Sequence, residues 1–225
     1  MINIRHLATL SHLKKTMTTT LTAFSSENIR QTYTYDEYLA LMDQVVAEKR
    51  TTGSDQSPEL AEYTRLNQYR MHRLDKTVKL ALGLQQLVYQ IATPQTWYVL
   101  TEAWCGDAAQ NLPVIAKVAA FNPQITLRLL LRDEHPEIMN AYLTNGGKSI
   151  PKLIALDADR NELFSWGPRP QALLEIVLEY KKNPTVPYAE FLEEVQRWYN
   201  VDKTESVQRE LVERLKGGRE ERIIH

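Results

Sequence analysis

From Gln95 onward the chain alternates between β-prone and helix-prone segments, and this alternation narrows the fold more than any other feature. Residues 96–103 (TWYVLTEA) are rich in β-formers. The spacing then predicts a helix over 106–121, stopped at Asn122-Pro123. A short apolar segment carrying Arg128, residues 125–131, reads as a buried strand. A helix over 136–144 follows, closed by Asn145-Gly146-Gly147. Strands over 152–157 and 162–166 flank a tight turn at Asp159-Arg160-Asn161, and a helix covers 170–182. The order β-α-β-α-β-β-α implies an α/β fold with a mixed central sheet. The early strands pair in parallel, the last two form a hairpin, and helices cover both faces.

Helical signals lie on both sides of this unit. Thr34 and Glu37 form a capping box, and Leu39, Met42, Val45 and Val46 recur at helical spacing. That helix ends near Arg50. Ser57-Pro58-Glu59 opens a second helical stretch to residue 92, read as one helix or as two with a break near Gly83. After a linker marked by Pro184 and Pro187, residues 188–199 and 204–216 read as helices, with a frayed end over 217–225. The expected units are a weakly ordered segment at 1–31, an N-terminal helical extension at 32–94, the α/β domain at 95–182 and a C-terminal helical tail at 183–225. Residues 1–15 lack a continuous apolar core and a small-residue cleavage site, so they make a poor secretory signal. Met17 is an alternative start, and a floppy leader is the favoured reading of what precedes it.

Basic and acidic residues nearly balance, 27 against 28, so no global field draws nucleic acid or an acidic membrane. No apolar run is long enough to span a bilayer. One cysteine in 225 residues excludes an intrachain disulfide and a four-cysteine zinc site, and it fits a reducing compartment, the cytoplasm. His6, His12, His72, His135 and His225 show no paired ligand spacing, and His135 reads as a helix-start residue. No cofactor or metal is expected.

The one cysteine lies in Trp104-Cys105-Gly106-Asp107-Ala108, between a strand and a helix. Unpaired amides and the positive end of the helix dipole favour thiolate at such a position. Asp107, in the first turn, acts in the opposite sense when charged. The position favours an accessible thiol over the alternative, a small buried hydrophobe.

The Trp-Cys-Gly-Asp string resembles thioredoxins, and more closely a bacterial group of that family with the motif Trp-Cys-Gly-Asp-Cys. Pro113 lies eight residues after Cys105, where thioredoxins carry the proline of this helix. Ile150-Pro151, ahead of a strand and at close to the family's spacing from Cys105, resembles the cis-proline loop. Gly167 follows the last strand, as in many thioredoxins. The likeness spans about residues 95–182 and implies a thioredoxin-like fold with a role in cell redox homeostasis. It makes Cys105 the catalytic residue. It makes Trp104, Gly106, Asp107, Ile150 and Pro151 the substrate-binding surface, with the Ile150 backbone pairing with an extended peptide. Two departures stand out. Ala108 occupies the place of the resolving cysteine, and Val99 that of a buried Asp that assists proton transfer. Glu102 is near in sequence, but strand alternation leaves its direction open.

Without a second cysteine, Cys105 forms a mixed disulfide that another thiol must resolve. The expected function is therefore monothiol thiol–disulfide exchange with protein or low-molecular-weight thiols and disulfides, with no nucleic acid or membrane as partner. The alternative is a non-catalytic binding or scaffold module on the same fold. Cluster binding of the monothiol glutaredoxin kind ranks lower, because Gly106-Asp107-Ala108 departs from that group's Gly-Phe-Ser. The oligomeric state stays open.

Overall fold

The computed structural model describes residues 22–223, with side chains to residue 217. Four strands, β1 (Gln95–Thr101), β2 (Ile125–Leu131), β3 (Lys152–Asp157) and β4 (Glu162–Trp166), form one sheet in the order β2-β1-β3-β4. β1 and β2 are parallel, with Val99 opposite Leu129. β3 is antiparallel to both β1 and β4, so the sheet is mixed. Neighbouring residues of β1 point to opposite faces, and both find aromatic partners. Trp97 meets Phe164 edge to face at 5.4 Å, while Tyr98 packs on Phe24 at 4.8 Å.

The helices are α1 (Tyr35–Ala47), α2 (Pro58–Thr77), α3 (Leu82–Tyr89), α4 (Gly106–Ala120), α5 (Pro136–Ala141), α6 (Gln171–Lys182), α7 (Tyr188–Asp202) and α8 (Glu205–Ile223). The Thr34–Glu37 capping box opens α1, and Ser57 with Pro58 opens α2. Tyr38 and Met42 of α1 and Met71 and Leu74 of α2 join Val99, Leu100 and Leu129 of the sheet in one apolar core. Burying each such side chain contributes about 1.5–3 kcal/mol.

Several sequence expectations shift here. Part of the segment expected to be weakly ordered is built in: Ala23 and Phe24 are buried. Just beyond it, Tyr33 makes an antiparallel bridge with Leu129 on β2. Residues 1–21 lie outside the described residues. The stretch over 58–92 is two helices, and the break falls at Val78–Ala81, ahead of Gly83. Side chains from distant helices satisfy the freed backbone there. Lys117 donates to the Val78 carbonyl (2.7 Å), while Gln208 accepts from the Ala81 N–H (2.8 Å) and donates to the Lys79 carbonyl (3.2 Å). Asn145-Gly146 does not close a helix. α5 stops at Ala141, and these two residues, both at positive φ, turn the chain between Thr144 and Gly147, which bridge each other. The expected frayed end is helical to Ile223.

Leu173, Val177, Phe191, Val195 and Tyr199 form a second apolar cluster apart from the main core. Within it Tyr180 and Phe191 stack with ring centroids 3.7 Å apart. α6 and α7 are thus a hairpin with a small core of its own.

Candidate active site

β1 ends at Thr101, and a short turn delivers Cys105 as the N-cap of α4. The Cys105 N–H donates to the Glu102 carbonyl, and its own carbonyl accepts the Ala109 N–H, both at 3.1 Å. Opposite lies the Ile150–Pro151 loop, with its peptide bond cis. The Cys105 thiol donates to the Ile150 carbonyl oxygen, Sγ to O 3.3 Å. Gly167 backs this loop at φ 112°, and a Cβ there would overlap the Pro151 carbonyl oxygen. Only glycine meets both demands. Ala108, in the place of a second cysteine, is buried.

The expectation of an accessible thiol fails: Cys105 is 7% exposed. α7 packs on the residues that follow Cys105. Tyr199 donates to Asp107 Oδ1 at 2.7 Å. Asn111 donates to the Tyr199 hydroxyl (3.0 Å) and to the Asp107 carbonyl (2.8 Å). Gln110 donates to Gln196 at 2.8 Å. A Cβ on Gly106 would sit 3.0 Å from Gln196 Nε2, so glycine lets the two helices meet there. The Arg169 guanidinium completes the hub, its Nη2 lying 2.5 Å from Asp107 Oδ2.

Burial pushes the Cys105 thiol up to about 12, and the Asp107 carboxylate adds to the rise. The Ala108 and Asp107 amides and the Arg169 guanidinium act in the other direction and are outweighed. The contest between helix start and Asp107 is thus settled by desolvation, which sequence does not display. Burial also raises the Asp107 carboxyl, opposed by Arg169 and Tyr199.

Of the residues assigned to substrate binding, Gly106, Asp107, Ile150 and Pro151 gather around the sulfur. The Trp104 ring instead carries the Arg132 guanidinium 4.8 Å from its centroid, and its Nε1 faces Gly53. Val99 is buried among apolar residues. Glu102 is fully buried, accepting from the Thr52 hydroxyl and, at 3.0 Å, from the Asp133 N–H. Burial raises its carboxyl as well. His135 is a helix-start residue as expected: Nδ1 lies 2.8 Å from the Leu131 carbonyl, and Nε2 accepts the Arg30 N–H. Tyr199, Arg169 and Gln196 carried no sequence signal, since helical periodicity does not say which residue of another element a side chain meets. Among the described residues no helix is long and apolar enough to cross a membrane.

The family model described as Thioredoxin matches residues 53–184. A solved structure from Pseudomonas aeruginosa, the protein of unknown function PA1234, is 18% identical. It aligns over 82% of this chain and 98% of its own, with a TM-score of 0.51. A second, an HIV epitope scaffold, is 17% identical over 82% of this chain and 99% of its own, with a TM-score of 0.49. No curated protein matches the sequence. PA1234 bears on the fold alone. The family match takes in more than half of the chain, including the helix-start cysteine and the cis-proline loop, and the chain belongs to the thioredoxin family.

Proposed function

We propose that the chain is a monothiol thiol–disulfide exchange protein, of the thioredoxin group with Trp-Cys-Gly-Asp, in which Ala108 replaces the second cysteine. The observation that carries this reading is the Cys105 sulfur at a helix start, 3.3 Å from the carbonyl of the residue before a cis-proline. Cys105 first loses its proton to solvent. The thiolate attacks one sulfur of a disulfide R–S–S–R′, forming Cys105–S–S–R and releasing R′–S⁻. An external thiolate then attacks the R sulfur, regenerating the Cys105 thiolate and leaving R in a new disulfide. The partners are protein or low-molecular-weight thiols and disulfides of a reducing cytoplasm. Gly106, Asp107, Ile150 and Pro151 form the surface on which the substrate lies, with Trp104 at its margin.

Intact mass after incubation with glutathione disulfide tests this reading. The wild type is expected to gain one adduct, removed by dithiothreitol, and Cys105→Ser none. A wild type that gains no adduct contradicts it.

The covered, protonated thiol favours a second reading, a binding or scaffold module in which the sulfur serves only as packing. On that reading Cys105→Ser retains the protein's activity in cells, whereas the exchange reading expects its loss.

A further inference from the structure

Exchange needs a thiolate that a disulfide can reach, and in this structure the thiol is closed. The closure has an uneven construction. α7 buries its apolar face against α6, in the cluster of Leu173, Val177, Phe191, Val195 and Tyr199. Its grip on the rest of the molecule includes the polar contacts of Tyr199 with Asp107, Gln196 with Gln110 and Asn200 with Arg73. That seam is imperfectly satisfied. Asn111 Oδ1 and Arg169 Nε are buried there with no hydrogen-bond partner among the described residues, which lowers the stability of the closed state.

Both ends of α7 are sharp junctions in the backbone. Residues 183–187 carry two prolines between α6 and α7. At the other end Lys203 and Thr204 both take positive φ, 49° and 70°. That is a costly conformation for a β-branched threonine, and a position where a helix changes direction. Beside this junction lies an open cleft of about 740 Å³, lined among others by Arg73, Leu74, Val78, Tyr199, Asn200 and Thr204, which leaves room for α7 to shift.

We propose that α7 is a lid over Cys105, latched by the Tyr199 hydroxyl on Asp107, and that reagents reach the sulfur when this latch opens, without global unfolding. As a control on the chemistry, the lid rests on the exchange reading; as a moving element it does not.

The sole cysteine makes the test a single labelling event. Iodoacetamide labelling of the full chain is followed by intact mass in rising, sub-denaturing urea, for the wild type and Tyr199→Phe. Phenylalanine keeps the ring in its cluster and removes the hydroxyl, which donates to Asp107 and accepts from Asn111. A local opening exposes little surface, so the wild-type rate is expected to be flat in urea. Tyr199→Phe should label about tenfold faster and remain flat, the effect of losing the hydroxyl's bond to a carboxylate while Asn111 keeps the Asp107 carbonyl as acceptor. Hydrogen exchange should quicken over residues 188–202 and stay unchanged over 35–47. Should Tyr199→Phe fold poorly, Gln196→Ala is expected to change the rate in the same direction. Equal rates in wild type and variants overturn the lid, as does a urea dependence as steep as that of global unfolding. Parallel incubation with glutathione disulfide separates the two proposals. Fast alkylation of Tyr199→Phe with no adduct keeps the lid and defeats exchange. Adducts that form equally fast in wild type and variant keep exchange and defeat the lid.

Discussion

Two additions to the sheet, α1 with α2 before it and α7 after it, hold on to the molecule in opposite ways, while α8 joins the main core through Val207, Leu211 and Leu215. α1 and α2 share the main apolar core with β1 and β2, whereas α7 turns its apolar face to α6 and meets α4 through hydrogen bonds. Each addition is tied near Cys105 by one buried carboxyl group. Glu102 binds the Thr52 hydroxyl of the loop between α1 and α2 and the Asp133 amide. Asp107 binds Tyr199 of α7 and a full cation, Arg169. An apolar seam resists opening through every contact it buries, while a seam of directed hydrogen bonds fails once a few are lost. The N-terminal addition is therefore part of the fold's stability, and α7, on the lid proposal, is a cover on its site.

The largest effect belongs to the apolar seam. Tyr38→Ala, at a fully buried position on α1, is expected to cost about 3–5 kcal/mol of global stability, read from the urea midpoint. If hydrogen exchange instead sped up only locally around α1, the contrast between the two additions would collapse.

Next is Asp107→Asn, which strands the buried Arg169 guanidinium and costs about 3 kcal/mol. Hydrogen exchange should place the loss over 188–202. The same change removes the charge that helps raise the Cys105 thiol, so alkylation should accelerate at neutral pH. Unchanged labelling would mean that Asp107 is merely structural.

These expectations mark what was readable in the sequence. Runs of β-formers, the Thr34–Glu37 and Ser57-Pro58 helix starts and the proline stops located nearly every element, because each is a local signal. Cys105 at a helix start, the Ile150–Pro151 loop and Gly167 were legible through their motif spacing. The cover over the sulfur was not. Nor were the contacts beside it, Tyr199 and Arg169 on the Asp107 carboxylate, pairings that no helical or strand period can forecast. Phe24 was missed for a related reason, as a lone aromatic outside any periodic stretch is placed only by Tyr98 and Tyr142. Asn145-Gly146 suits a helix terminus or a tight turn equally well, and the bridge between its neighbours decided.

The smallest effect concerns Glu102. The folded chain holds this proton to higher pH than the unfolded chain, because burial raises the carboxyl above its ordinary 4.5. Folding thus binds a proton, and stability falls as pH rises from 4.5 through the raised value. Glu102→Gln should reduce that fall, leaving the share of Asp107, while changing stability by no more than about 1 kcal/mol at acid pH, since an amide can still serve Thr52 and the Asp133 N–H. Urea midpoints across the acid-to-neutral range provide the check. A slope of unchanged size in the variant would assign it to other groups, Asp107 first.

The central claim is that this thioredoxin-family cysteine rests as a covered, protonated thiol. Its most direct test is a pH titration of thiolate absorbance, with Cys105→Ser subtracted as background. The account predicts that the thiol keeps its proton as the pH passes 9 and ionises only towards about 12. A thiolate that forms at or below 9 in the folded wild type would contradict it.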